Sequence, residues 1–201
     1  MYDALIFDMD GTLVNRVKAI KEAWTDSCKK HGWGKIFTDE DIKSIMGLRP
    51  RQMGMMMFPN LDPDIAEKQI TICTHEEIAY LLKHEGTSYI DRQLFSKLAS
   101  KYKIFIVSNC LEGYIETYLD NFNFNEFVID SRNAGNGKTK AENIKDIVKT
   151  YNLKKPLYVG DTILDYKSTC KAGIDFCFAS YGFGDVKDTL KINKLEDLLS
   201  L

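Results

Sequence analysis

Ala4-Leu5-Ile6-Phe7-Asp8-Met9-Asp10-Gly11-Thr12-Leu13 sets four apolar residues directly against two carboxylates and a glycine. The run at 4–7 is short, continuous and apolar, as expected of a strand buried on both faces of a parallel sheet. Asp8 and Asp10, at i and i+2, fall on one side of an extended segment, and Gly11 lets the chain turn at once. Paired acids near one ligand can divide the work, one ionised as nucleophile or metal ligand and the other protonated. The same residues can also simply cap a turn.

Outward from this stretch, similar apolar runs recur at residues 104–107, 127–129, 157–159 and 176–178. Amphipathic, helix-length stretches at about 113–121, 140–151 and 163–172 separate the later ones. Strand alternating with helix predicts an α/β fold. Residues 17–85 break the alternation with helical patterns at 17–30, 39–46 and 62–84, ending at Glu85-Gly86-Thr87. They read as a helical unit inserted into the α/β core. Within it, Gly47 and Pro50 predict a tight loop at Gly47-Leu48-Arg49-Pro50-Arg51, and the Met-rich segment 53–58 reads as a pliable core or interface stretch.

The other strand ends are also loaded. Residues 104–107 run into Ser108-Asn109, and residues 157–159 into Gly160-Asp161-Thr162 with Asp165 one helical turn further on. Ligands of open α/β sheets bind outside the carboxyl ends of the strands, where Asp8, Asp10, Ser108, Asn109 and Asp161 would converge as an oxygen-rich site for a hard cation such as Mg²⁺. Gly135-Asn136-Gly137-Lys138-Thr139 offers a lysine in a glycine-flanked loop, a point charge for phosphate. It falls one residue short of a P-loop, because Arg132 stands where the first glycine belongs.

The whole chain bounds the partners. Its 201 residues are 44% hydrophobic and 28% charged, enough for a substantial core. A net charge of −2 gives no general attraction to nucleic acid or an anionic membrane, which points to a small-molecule partner. No apolar run has the length of a membrane helix and no leader pattern precedes residue 4, so a cytoplasmic location is expected. Five scattered cysteines without a C-x-x-C pair argue against a disulfide framework or zinc site, and His31, His75 and His84 form no metal motif.

Taken in order, Asp8-Met9-Asp10-Gly11-Thr12, Ser108-Asn109, Lys138 and Gly160-Asp161-Thr162-x-x-Asp165 resemble the four motifs of the haloacid dehalogenase-like hydrolase superfamily. The insert is similar to the helical cap of its phosphoglycolate phosphatase and β-phosphoglucomutase branch. The resemblance implies a Rossmann-like parallel sheet flanked by helices (1–15 and 86–201), with a small helical cap (16–85) closing over its crevice. It implies Asp8 as a nucleophile forming an aspartyl-phosphate, and Asp10 as the acid for the leaving group and then the base for water. Asp8, the Asp10 carbonyl and Asp161 would hold Mg²⁺, with Asp165 supporting them or ligating directly. Ser108 and Lys138 would hold the phosphoryl oxygens and Asn109 their loop.

Two positions depart from the family pattern: Thr139 follows the motif lysine where proline is frequent, and Asn15 stands where aspartate is common. The acid at Asp10 separates the chain from the dehalogenase and phosphonatase branches and favours phosphate esters. The expected activity is therefore a Mg²⁺-dependent phosphatase acting on a small phosphorylated metabolite. A β-phosphoglucomutase-like isomerase would use the same two aspartates, and a P-loop-like nucleotide-binding module is the reading from another class. In the resembling family the loop matching residues 47–51 faces the crevice, so Arg49, nearer the glycine than Arg51, is expected to contribute substrate specificity.

Overall fold

The computed structural model describes all of residues 1–201 and divides into two units, Met1–Asn15 with Thr87–Leu201, and Arg16–Gly86. In the first unit six strands form an all-parallel sheet: β1 (Ala4–Phe7), β4 (Lys103–Val107), β5 (Asp130–Arg132), β6 (Pro156–Gly160), β7 (Asp175–Ala179) and β8 (Leu190–Ile192). Their order is β5-β4-β1-β6-β7-β8. The first strand is thus central, with Leu5 opposite Ile104 on one side and Leu157 on the other. This is the Rossmann-like α/β core expected from the sequence.

All four residues of β1 are fully buried, because alternate side chains enter different layers. Ala4 and Ile6 join Phe105, Val107, Tyr158 and Phe176 in a core cluster completed by Ile144 and Ile147 of helix α7 (Lys140–Thr150). Helices α5 (Arg92–Lys101), α6 (Tyr114–Phe122) and α8 (Ile163–Ala172) complete the flanking layers of this unit. The chain leaves for the helical unit at β2 (Val14–Asn15) and returns at β3 (Thr87–Ser88), which pair antiparallel.

The expected strand at 127–129 is displaced. Asn125–Phe127 is a 3₁₀ turn, Ile129 is exposed, and the polar triplet Asp130-Ser131-Arg132 makes the edge strand β5. An edge strand needs ladder hydrogen bonds more than two-sided burial. Its charges are satisfied locally, Arg132 pairing with Asp130 at 2.7 Å and Asp146 at 2.9 Å.

The helical unit comprises α1 (Val17–Lys30), α2 (Asp39–Ile45), α3 (Pro50–Met57) and α4 (Pro63–Leu81). Trp24, Ile42, Ile45, Met57, Ile70 and Leu81 are among its buried side chains. The expected loop at 47–51 is confined to residues 47–49, because α3 begins at Pro50, and the Met-rich segment 53–58 places Met57 and Phe58 in the core. Pro50 opens this helix at its first position, where a proline lacks no hydrogen bond that the helix would use. No helix of the chain is long and apolar enough to cross a membrane.

Candidate active site

Asp8, Ser108 and Asp161 follow directly on β1, β4 and β6, three adjacent strands, and all three are buried. Backbone hydrogen bonds continue past the strand ends and fix the turns: Asp8 N–H donates to the Val159 carbonyl at 2.9 Å and Ser108 N–H to the Arg132 carbonyl at 3.1 Å. Asn109, half-buried, extends the Ser108 turn.

The lysine of this site is Lys140, and Lys138 is not part of it. Lys138 is exposed and its Nζ lies 3.4 Å from Asp146. Lys140 is 3% exposed, and its Nζ donates to Asp8 Oδ1 at 2.8 Å and Asp165 Oδ1 at 2.6 Å. The 135–139 loop is thus no phosphate cradle centred on Lys138. The local cause is a capping box: Thr139 Oγ1 accepts from Glu142 N–H at 3.2 Å, while Glu142 Oε2 accepts from Thr139 N–H at 2.7 Å. The helix therefore starts at Lys140, whose charge sits in the first turn, against the helix dipole. Thr139-x-x-Glu142 is legible in the sequence and marks this start. A second box, Thr162 with Asp165, opens α8: Asp165 Oδ2 accepts from Thr162 N–H at 3.0 Å and Thr162 Oγ1 at 2.6 Å. Asp165 thus binds its own helix start with one oxygen and Lys140 with the other.

Asp161 is enclosed by two chain segments. Thr12 Oγ1 donates to its Oδ1 at 3.3 Å, and Phe183 N–H to its Oδ2 at 2.7 Å. Both segments need glycine. Gly11 has φ +86°, and a Cβ there would lie 2.2 Å from Asp161 Oδ2. A Cβ on Gly182 would lie 2.3 Å from the Asp161 Cβ. Tyr181 secures the second segment by donating to the Thr12 carbonyl at 2.9 Å. The stretch Tyr181-Gly182-Phe183-Gly184 was not among the expected site residues; its two glycines just after an apolar strand are the signal that marks it.

Asp10 is half-buried, and its Oδ1 accepts from the Tyr114 hydroxyl at 2.7 Å. In the helical unit, Arg51 is committed to Asp64 at 2.7 Å and Glu67 at 3.0 Å. Arg49 precedes α3 as its cap residue.

Asp8, Asp161 and Asp165 present carboxylate oxygens within 4.8 Å of one another, all buried. Burial, then the neighbouring Asp165 and Asp8, push the Asp161 carboxyl up to about 8. Burial and Asp165 raise that of Asp8 to about 6 against the pull of Lys140. Burial works against the charge of Lys140 too, yet Asp165 and Asp8 outweigh it and hold the ammonium well above the ordinary lysine range. Full ionisation of all three carboxyls would exceed the charge that Lys140 supplies, and a donor set of buried carboxylate oxygens with that shortage of countercharge fits a hard divalent cation.

The family model for haloacid dehalogenase-like hydrolases matches residues 5–179. The chain is 25% identical to the pyrophosphatase PpaX of Listeria welshimeri, over 98% of this chain and 94% of that one. It is 24% identical to a phosphoglycolate phosphatase of Aquifex aeolicus, over 89% of this chain and 85% of that one. A haloacid dehalogenase-like family hydrolase from Streptococcus pneumoniae shares the fold with a TM-score of 0.84 at 21% identity, covering 99% of this chain and 97% of its own. With its family motifs gathered at adjacent strand ends, the chain belongs to the haloacid dehalogenase-like hydrolases.

Proposed function

We propose that the chain is a Mg²⁺-dependent phosphatase that hydrolyses the phosphate ester of a small metabolite through an aspartyl-phosphate on Asp8. The observation that carries this reading is the buried pairing of Asp8 with Lys140 beside Asp161 and Asp165. Asp8, the backbone carbonyl of Asp10 and Asp161 would hold the ion, with Asp165 supporting them. When bound, Mg²⁺ supplies positive charge that draws the anionic ester toward Asp8 and offsets charge on the phosphoryl oxygens.

An Asp8 oxygen forms a bond to phosphorus as the bond from phosphorus to the leaving oxygen breaks, and Asp10 gives that oxygen its proton. Asp10 then takes a proton from water, whose oxygen attacks phosphorus and releases Asp8. Ser108 and Lys140 hold the phosphoryl oxygens during both transfers, with Asn109 supporting their loop. The names of the Listeria and Aquifex relatives, a pyrophosphatase and a phosphatase, support phosphate release over isomerisation. Arg49, at the start of α3 in the helical unit, contributes to the ranking of substrates.

The test is a panel of phosphorylated metabolites, pyrophosphate included, assayed for inorganic phosphate with Mg²⁺. Phosphate release from at least one is expected. An isomeric sugar phosphate as the product, or no turnover on any member, contradicts the reading.

A further inference from the structure

Tyr114 is the first residue of α6, directly after Gly113, and its side chain is 3% exposed. Its hydroxyl donates to Asp10 Oδ1 at 2.7 Å across 104 positions of sequence. Asp10 itself lies beyond the end of β1, and the turn Met9–Val14 sets its backbone through Gly11 N–H to the Val14 carbonyl at 2.9 Å and Thr12 N–H to the Met9 carbonyl at 3.1 Å. Those bonds place the Asp10 Cα but leave the rotation of its carboxyl group to side-chain contacts. A terminal carboxyl torsion is broad and two-fold, so a hydrogen bond to one oxygen determines which oxygen is presented elsewhere.

We infer that Tyr114 is a positioning residue for the acid–base step, anchoring Asp10 Oδ1 so that Asp10 Oδ2 carries the transferred proton. The inference rests on the proposed role of Asp10. A phenol can donate to Oδ1 whether Asp10 is a carboxylate or a carboxylic acid protonated on Oδ2, because Oδ1 is an acceptor in both. The anchor therefore survives the full cycle. The Oδ2 proton passes to the leaving oxygen as its bond to phosphorus breaks, and Oδ2 regains a proton from water as that water bonds to phosphorus. The Tyr114 proton is not transferred at any point.

Such an anchor has a kinetic signature that a merely structural tyrosine lacks. A leaving group that departs readily as an anion needs little help from an acid, whereas an alkyl alcohol needs that help throughout. Tyr114→Phe keeps the buried ring and removes the donor. It should lower kcat/KM for an alkyl phosphate such as glycerol phosphate, or for the best metabolite of the panel, by about 10- to 100-fold, the effect of one hydrogen bond to a charged group. The formation of aspartyl-phosphate from p-nitrophenyl phosphate, read from the p-nitrophenol burst, should change far less, which also shows that the variant is folded.

In the Asp10→Ala background there is no carboxyl to hold, so adding Tyr114→Phe should cost nothing further for the alkyl ester. Equal losses for alkyl and aryl substrates, no loss for either, or an undiminished loss in the Asp10→Ala background overturns the proposal. If Tyr114→Phe does not fold, the same comparison with 3-fluorotyrosine placed at 114, a stronger donor of the same shape, must still shift the alkyl-to-aryl ratio, and an unchanged ratio overturns it. An unmodified chain that hydrolyses no phosphate ester overturns the phosphatase reading itself. A phosphatase whose alkyl-to-aryl ratio ignores Tyr114 overturns the anchor alone.

Discussion

Lys140 Nζ and Asp8 Oδ1, contributed by residues 132 positions apart, meet at 2.8 Å in a buried site. The contact joins the start of α7 to the end of β1 and leaves Lys138 outside. Lys140→Met should lower kcat at least about 10²-fold, the scale of losing one preorganised charge at a phosphoryl group. Lys138→Ala should leave turnover nearly unchanged. Steady-state assays of both variants check this, and the opposite ranking would restore Lys138 to the site.

The raised carboxyls give a pH dependence with a definite sign. Asp8 and Asp161, pushed up to about 6 and about 8 from an ordinary 3.8, keep protons in the folded chain that the unfolded chain has already lost. The folded state binds more protons across that window, so metal-free stability should fall as pH rises from about 4 toward about 8. Mg²⁺ held by these carboxylates would take the place of those protons, so its stabilisation should be greater at about pH 8 than at about pH 5. Thermal unfolding in chelator and in Mg²⁺ checks both. A Tm shift by Mg²⁺ that is larger at the acidic end contradicts the assignment.

Gly182 lies where no side chain fits. A Cβ would stand 2.3 Å from the Asp161 Cβ and 2.5 Å from the Gly11 carbonyl oxygen. Gly182→Ala should displace Asp161, weaken Mg²⁺ dependence to higher concentrations and lower kcat/KM by about 10- to 100-fold, as small misplacements do. Mg²⁺ titration of the activity measures it. An unaltered titration would show that the loop can yield without moving the carboxylate.

Arg49→Ala should raise KM or reorder the substrate panel, while Asp8 still accepts phosphate from a small generic donor. Arg51→Ala should change kinetics little, since its guanidinium is paired with Asp64 and Glu67. Identical kinetics for the Arg49 variant across the panel would reduce that residue to its place at the start of α3.

The sequence was most readable where one physical demand dominates. Residues 4–7 and 163–172 coincide with β1 and α8 because continuous burial and clean helix signals set their limits. At 130–132 a short edge strand carries ladder bonds on polar residues, which a search for apolar runs passes over. Pro50 reads equally as the end of one helix or the start of the next, and only packing decides. Lys138 attracts attention through its glycine neighbours, while Lys140 is concealed in a helical pattern until the Thr139 and Glu142 box is recognised. The glycines at 182 and 184 bear on Asp161 through a contact some twenty residues away, which local patterns do not encode.

Asp8, as the proposed nucleophile, should carry the phosphoryl group during turnover. Acid quench of the enzyme during turnover of its best substrate, reduction of the trapped acyl phosphate with borohydride and peptide mapping test it directly. The aspartate at position 8 should be converted to homoserine, and a folded Asp8→Asn variant should show neither trapping nor phosphate release. Modification at another residue, or full turnover by Asp8→Asn, would contradict it.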